Sequence, residues 1–187
     1  AYAVAGGLVG SNKGVLKNSY SKADVNSEGY AIGGLSGRNR TDAGVIKNCY
    51  SMGDVNGDSR VGGLTGDNEF GCSILNCYSI GSVSGMSAVG GLVGYTNQAE
   101  VIQCFWNTET SGQNSSSGGT KLTTDEMKDY TPFMAAGWDF MKKSVNGDDD
   151  YWGYDSTANN GYPFLYYQGY ESTTTCQPPE GQASNMI

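Results

Sequence analysis

The most reactive side chains in this sequence belong to five cysteines, and three of them recur at one position of a repeated pattern. Cys49, Cys77 and Cys104 each precede an aromatic residue and are spaced 28 and 27 residues apart. On strands stacked about 4.8 Å apart, adjacent cysteines fall within the Cα range of a disulfide. Pairing of Cys49 with Cys77, or of Cys77 with Cys104, and unbonded packing of small residues both fit this spacing. The odd count leaves one cysteine over, and Cys176 is the candidate for a bond between chains.

Carboxylates supply a second kind of candidate chemistry. Asp148, Asp149 and Asp150 are hard oxygen ligands of the type that Ca²⁺ prefers, but they lack the glycine and the closing glutamate of an EF-hand loop. A solvated acidic turn explains the run equally simply. Asp24 and Asp54 occupy equivalent repeat positions, and paired acids are typical of glycoside hydrolysis. No isolated acid pair in an aromatic cleft is evident, so solvated turn acids are favoured.

Composition excludes several function classes. The 187 residues include no histidine, which excludes His-based triads, His-ligated metals and histidine pH switches. The formal net charge of −8 argues against binding to nucleic-acid phosphates. No apolar stretch approaches the ~20 residues of a membrane-spanning helix. Tyrosine, present 13 times, is the most plausible sugar-binding or protein-binding residue, although several tyrosines fall at repeat positions that suit a core.

Two short motifs recur in phase along the first half of the chain. A Gly-Gly-Leu-x-Gly motif places its leucines 27, 29 and 28 residues apart. The leucines are Leu8, Leu35, Leu64 and Leu92. A second motif places an aromatic residue at intervals of 30, 28 and 27 residues. These aromatic residues are Tyr20, Tyr50, Tyr78 and Phe105. A period near 28 is too short for a domain but suits one coil of a β-solenoid.

The repeat therefore predicts an all-β fold, a parallel β-solenoid of about four coils, with the right-handed winding usual for parallel crossovers. In such a stack each side chain lies on its counterpart in the next coil. Asn18, Asn48 and Asn76 are expected to form an amide ladder, and the aromatic residues are expected to form a stacked column. The glycines, 29 in total, are expected to supply positive-φ corners and to allow backbones to approach closely.

These motifs resemble the GLUG repeat of bacterial surface and secreted proteins, which include large adhesins. The resemblance covers roughly residues 1–110 and extends to about residue 168 through a tail like the one that often closes such arrays. That tail contains Cys104-Phe105-Trp106, Gly137-Trp138-Asp139-Phe140 and Asn160-Gly161-Tyr162-Pro163-Phe164. The resemblance implies a β-solenoid built for surface presentation and carries over no catalytic residue.

The domain prediction follows from where the repeat stops. Residues 1–106 are predicted to form the solenoid, residues 107–168 a C-terminal cap with short helices, and residues 169–187 a polar tail or linker. Residues 108–119 are expected to be a loop, with helices near Thr123 and Thr131. The chain starts at Ala1, inside a motif, which predicts a processed or truncated chain preceded by further repeats.

The functional expectation is a non-catalytic, extracellular, structural or adhesive repeat module, surface-displayed or self-assembling into fibres, that needs no cofactor, with Ca²⁺ as a minor alternative. Its partners are expected to be other copies, neighbouring domains of a longer chain, or a glycan or host-surface ligand. Two alternatives stay open. One is a carbohydrate-binding module or polysaccharide-active β-helix enzyme, and the other is a passive spacer in a larger surface protein.

Overall fold

The computed structural model describes residues 3–40, 43–141 and 146–170. The chain divides into two compact units, residues 1–124 and residues 125–187. The first unit contains the repeats, and the second contains most of the tryptophans. The predicted polar tail begins at Gly169, and its part from residue 171 onward, including Cys176, lies outside the described residues.

Within the described residues, the first unit consists of four coils of short strands. The first coil has β1 (Ala5–Gly6), β2 (Val9–Asn12) and β3 (Val15–Ser21). The second has β4 (Val25–Gly33), β5 (Ser36–Asn39) and β6 (Val45–Ser51). The third has β7 (Val55–Gly62), β8 (Thr65–Asn68), β9 (Ser73–Leu75) and β10 (Tyr78–Ser79). The fourth has β11 (Val83–Ser84), β12 (Ser87–Gly90), β13 (Val93–Thr96), β14 (Glu100–Ile102) and β15 (Phe105–Asn107).

Equivalent strands of successive coils pair in parallel and build three sheets. The first sheet has the order β1-β4-β7-β11, with β12 also on β7; the second has β2-β5-β8-β13; the third stacks β3, β6, β9, β10, β14 and β15. The register follows the repeat, since Tyr50 pairs with Tyr20 and with Tyr78. The predicted parallel β-solenoid of about four coils is confirmed, because each strand's neighbour is one repeat away.

The parallel stacking continues beyond residue 106. Helix α1 (Thr108–Ser111) begins at Asn107, whose side-chain oxygen accepts hydrogen bonds from the N–H groups of Glu109 and Thr110, in a segment expected to be a loop. Strand β16 (Thr120–Leu122) then pairs in parallel with β15. Residues 113–122 thus lie on the fourth coil as an irregular fifth layer. The capping role predicted for residues 125–168 stays a prediction.

Serine hydroxyls cover the edge of the fourth coil in this layer. The hydroxyl of Ser116 accepts hydrogen bonds from the N–H groups of Leu92 and Val93, at 3.2 and 2.9 Å. The hydroxyl of Ser117 accepts from the N–H of Thr96 at 2.9 Å. An unpaired strand edge is a template for joining other strands, and occupying its donors with side chains removes that template. The edges of β13 and β15 are therefore occupied by the same chain.

The Gly-Gly pair carries the chain between two separate hydrophobic cores. Ile32, just before one pair, belongs to a core with Val25, Val55, Val61 and Val83. Leu35, just after that pair, belongs to a larger core that also contains the cysteine column. The second core comprises Leu35, Ile46, Cys49, Leu64, Ile74, Cys77, Leu92, Val93, Cys104 and Trp106. The motif therefore marks the crossing from one core to the other.

The role of the motif glycines differs from the expectation in one respect. None of them has a positive φ, because the left-handed positions of the coils are held by non-glycine residues such as Asn48 (φ 51°) and Arg60 (φ 49°). What the glycines provide is close approach. A Cβ on Gly66 would lie 2.6 Å from the carbonyl carbon of Ala31 and 2.6 Å from the carbonyl oxygen of Arg60. The prediction of positive-φ glycine corners was wrong here, and that of close backbone stacking was right.

The second unit is small and rich in aromatic residues. It has helices α2 (Thr124–Met127, beginning at the unit boundary) and α3 (Thr131–Ala135), 3₁₀ turns at Asn159–Gly161 and Tyr166–Gln168, and an antiparallel pair of β17 (Trp152–Gly153) and β18 (Phe164–Leu165). Pro132 stands at the start of α3, as the sequence predicts. Trp138 and Trp152 are fully buried, with ring centroids 4.4 Å apart.

Substituting Gly66 by alanine tests the close-approach role. We expect Gly66→Ala to lower the free energy of unfolding by about 3 kcal/mol or to prevent folding, because the methyl group would meet backbone atoms that cannot move aside. Gly14 is the matched control, since a Cβ there meets nothing within 4 Å. Gly14→Ala is expected to change stability by less than about 1 kcal/mol. Urea unfolding followed by circular dichroism measures both, and equal stabilities would refute the role.

Candidate functional site

The predicted asparagine ladder occupies a left-handed corner of the coils. Asn18, Asn48 and Asn76 have φ values of 49°, 51° and 50°, and Gln103 has the same conformation in the fourth coil with φ 53°. Asparagine tolerates this region better than most residues with a side chain. The Nδ2 of Asn48 donates to the Oδ1 of Asn18 at 3.2 Å. These residues therefore turn the backbone as well as linking the first two coils.

A second asparagine column, which the sequence analysis missed, lies where the second sheet meets the third. The Nδ2 of Asn12 donates to the Oδ1 of Asn39 at 2.8 Å, and the Nδ2 of Asn39 donates to the Oδ1 of Asn68 at 2.9 Å. Asn39 and Asn68 are fully buried, and Asn39 also donates to the carbonyl of Gly44. Its signal was available, because each asparagine follows a motif leucine by four residues.

The aromatic and leucine columns lie where the repeat places them. The rings of Tyr20 and Tyr50 stack with centroids 5.1 Å apart, and those of Tyr50 and Tyr78 stack at 4.9 Å. Phe105 continues the column by pairing with Tyr78 in the next strand. Tyr50 and Tyr78 are fully buried, as are Leu35, Leu64 and Leu92. In this column Tyr50 and Tyr78 are buried, whereas Tyr20 of the first coil is 36% exposed.

The cysteine column is a stack of buried thiols in the structure. Cys49, Cys77 and Cys104 are present as thiols, and so is Cys72. Each column thiol donates to the carbonyl two residues earlier, at 3.2, 3.1 and 3.1 Å. Burial raises the pKa of the Cys77 thiol well above its ordinary value, and the flanking thiols raise it further. The three cysteines pack as small side chains whose S–H groups are hydrogen-bonded. A disulfide between neighbouring cysteines stays a prediction.

The acidic candidates contact backbone amides. The Oδ1 of Asp24 accepts from the N–H of Asp54 at 2.8 Å, and the Oδ1 of Asp54 accepts from the N–H of Ser82 at 2.9 Å. These aspartates therefore link turns of successive coils, which explains why they recur in phase. Their arrangement is a column along the stack and does not enclose a cleft as paired catalytic acids do.

The Asp148–Asp150 run surrounds a buried carboxylate. The Oδ2 of Asp139 accepts from the N–H groups of Asp149 and Asp150, at 3.1 and 3.2 Å. Burial raises the pKa of Asp139, against the opposing effect of these two hydrogen bonds. No group of three or more acidic or cysteine side chains within the described residues could hold a metal ion. Calcium binding by Asp148, Asp149 and Asp150 therefore has no geometric support among the described residues.

A cluster of charged and aromatic side chains on one flank of the solenoid was also missed. Its members come from the second, third and fourth coils, and we call it the arginine cluster. It comprises Tyr30, Arg38, Arg60, Asp67, Glu69 and Tyr95. The guanidinium of Arg60 lies 4.3 Å from the ring centroid of Tyr30 and 4.1 Å from that of Tyr95. Its Nη1 donates to the Oδ2 of Asp67.

The ion pairs of the arginine cluster are partly desolvated. Asp67 is fully buried, whereas the side chains of Arg38 and Arg60 are 25% and 27% exposed. The Nε of Arg38 lies 3.2 Å from a carboxylate oxygen of Glu69 and 3.8 Å from Asp67. Breaking a buried pair by removing one partner leaves an uncompensated charge, which is strongly destabilising. The cluster therefore braces three coils and also presents two arginines at the surface.

The geometry defines the class of protein as a parallel β-solenoid held by columns of identical side chains. Residues 28–56 match the GLUG motif, and the Gly-Gly-Leu-x-Gly and aromatic positions of that segment recur in the other coils. The chain therefore contains the GLUG repeat, as the resemblance implied.

One relative is similar to this chain over most of its length. It is named as a Gly-rich membrane protein of Evansella cellulosilytica, and it is 36% identical over 134 residues. The match covers 71% of this chain but only 13% of the relative, so the chain corresponds to a small part of that protein. No solved structure gives a significant match. No helix among the described residues has the length and apolar character needed to cross a membrane.

Replacing Asn39 tests the buried asparagine column. We expect Asn39→Ala to lower the free energy of unfolding by about 3 kcal/mol, because it removes the partner of Asn12 and of Asn68 together with bonds to two backbone carbonyls. Asn26 is the control, because its bond to Asn56 is exposed to solvent. Asn26→Ala is expected to cost less than about 1 kcal/mol. Comparable losses for both variants in urea unfolding would contradict the importance of burial.

Alkylation tests the state of the cysteine column. We expect iodoacetamide to modify Cys77 slowly in the folded chain even at pH 9, since the raised pKa keeps the thiol protonated and burial excludes the reagent. In urea the same residue should react rapidly and completely. Peptide mass mapping without reductant measures both states. Recovery of Cys77 linked to Cys49 or to Cys104 would contradict the thiol column.

Proposed function

We propose that this chain is a non-catalytic structural and adhesive module of an extracellular, surface-displayed protein, and that it associates through its first coil. The chemistry of its polar side chains supports this proposal. Buried asparagines and serines, together with exposed aspartates at the turns, bond to neighbouring coils instead of converging on a common point. A structure of this kind is suited to holding a surface in a fixed shape.

The observation that carries the associative part is the difference between the two ends of the solenoid. Leu8, in the first coil, is 47% exposed, whereas the equivalent Leu35 and Leu64 are fully buried by the preceding and following coils. Val15 and Tyr20 of the same coil are 66% and 36% exposed. At the other end, residues 113–122 cover the edges of β13 and β15, while Ile102 of β14 is 40% exposed. Within the described residues, the first coil therefore presents apolar side chains and strand edges of the kind that other strands join, either from a second copy or from preceding residues of a longer chain.

Two first coils that meet form a closed pair. The contact uses the same surface on both molecules, and such isologous contacts stop at a dimer instead of continuing as a filament. A longer chain could use the same surface for a neighbouring coil. An adhesive function also needs a surface that binds a glycan or host-surface ligand. We assign this binding to the flank of the solenoid that carries the arginine cluster.

Substitution of Leu8 tests the association. We expect the 187-residue chain to dimerise with rising concentration, and Leu8→Lys to weaken this by at least about tenfold, because it places a charge on the apolar end surface. Ile102→Lys is the matched control, since Ile102 is 40% exposed in the fourth coil. Analytical ultracentrifugation measures all three chains. Monomers at every concentration would refute association and favour a passive spacer.

The non-catalytic assignment has its own test. The folded chain is expected to release no reducing ends from a panel of common polysaccharides. Turnover that is abolished by a single acid-to-amide change, such as Asp54→Asn, would contradict the assignment and favour the polysaccharide-active alternative.

A further inference from the structure

The repeat itself shows which positions maintain the stack and which have another role. Structural columns keep one residue type from coil to coil, as in the asparagine, tyrosine and leucine columns. The column that passes through the arginine cluster does not: it reads Ser11, Arg38, Asp67 and Tyr95. Stacking alone does not require four different side chains there.

The backbone at Arg60 gives a second, independent observation. Arg60 has a left-handed φ of 49°, and the equivalent residues Ala31 and Ala88 share this conformation with φ 69° and 50°. The position therefore accepts small residues in the neighbouring coils. A long side chain at positive φ is unusual, and such local strain persists where the surroundings over-determine it, often at functional sites.

Charge composition gives a third observation. The chain has a net charge of −8 and three arginines, Arg38, Arg40 and Arg60, of which two belong to the cluster. Arginine recognises planar anions through paired N–H groups, which lysine cannot do. Within the cluster the two arginines are paired with Asp67 and Glu69, so the flank carries no net charge, and an anionic group is recognised there by the N–H donors that these pairs leave unused and not by an excess of positive charge.

The geometry of Arg60 defines what that group would be. Tyr30 and Tyr95 lie along the guanidinium, and the bond from Nη1 to Asp67 uses one of its five N–H donors. The side chain is 27% exposed, so the remaining edge can reach a ligand from solvent. Glu69, 33% exposed beside Arg38, is an acceptor for hydroxyl groups, and Tyr95 is 38% exposed. A ligand with a planar carboxylate next to hydroxyl groups matches both partners, because the carboxylate accepts from the free edge of Arg60 and the hydroxyl groups donate to Glu69.

We propose that the arginine cluster binds a saccharide that carries a carboxylate, with the free edge of Arg60 on the carboxylate and Glu69 and Tyr95 on the ring. The inference rests on the adhesive part of the proposed function and names its ligand class. An acidic peptide offers the carboxylate without the ring hydroxyls that Glu69 would recognise, so the saccharide is favoured. The site lies within the second to fourth coils and needs no residue of the first.

The test measures binding of three sugar acids to the full chain by isothermal titration calorimetry. The probes are trigalacturonate, a glucuronate-containing disaccharide and sialyllactose, each beside its methyl ester, with triglutamate as the peptide comparison. Arg60→Lys is the main variant, since it keeps a cation beside the buried Asp67 and removes the planar fork. Lys47→Gln, which changes one exposed charge elsewhere, is the matched control. Circular dichroism verifies that both variants fold.

We expect at least one sugar acid to bind, its methyl ester to bind at least about tenfold more weakly, and Arg60→Lys to cause a similar loss while Lys47→Gln does not. Equal binding of acid and ester, or unchanged binding by Arg60→Lys, would overturn the proposal. Preference for triglutamate would overturn it in favour of a peptide ligand, and absence of binding to all three acids would overturn it outright. Dimerisation through the first coil is measured separately with the Leu8→Lys variant. Failure of the saccharide site is therefore distinguishable from failure of the first-coil contact.

Discussion

The structure depends on the close approach of backbone to backbone at the glycine positions of the repeat. The Gly-Gly pair carries the chain from the core of Ile32 to the core of Leu35, and the third motif glycine lies against the backbone of the neighbouring sheet. Any side chain there would occupy space that is already filled. The narrow crossing makes each coil thin, which explains how a period near 28 residues can enclose two hydrophobic cores.

The close stacking that the glycines permit also buries polar side chains, which pair with one another in columns along the stack. A thin coil buries polar positions as well as apolar ones, and each buried polar group needs a partner. An asparagine amide carries both donors and an acceptor, so identical residues one strand spacing apart can bond in series. Asn39 does this with Asn12 above and Asn68 below, while its second donor hydrogen serves backbone carbonyls. The sequence repeat thus places an asparagine at the same position of successive coils, and these asparagines hydrogen-bond to one another along the stack.

Side chains that hold the coils together differ from those that are proposed to bind a ligand. Where a side chain is bonded to its own counterpart, its chemistry is used within the molecule, as for Asp24 and Asp54. Where successive coils carry different residues, as on the flank of Arg60, the side chains contact one another and also face solvent. A repeat protein can therefore vary its outer surface without disturbing the columns that hold it, and the proposed saccharide site lies on such a varied flank.

The sequence alone determined the period, the parallel stacking and the members of the leucine and aromatic columns, because a repeated pattern implies that equivalent residues lie together. The sequence could not show which residues turn the backbone with a positive φ. Asn48 and Arg60 have this conformation, whereas the motif glycines allow backbones to approach closely. Nor could the sequence place Arg60 between Tyr30 and Tyr95, which occupy different positions of the repeat. Contacts between different columns depend on how the sheets meet, and only the tertiary structure decides that.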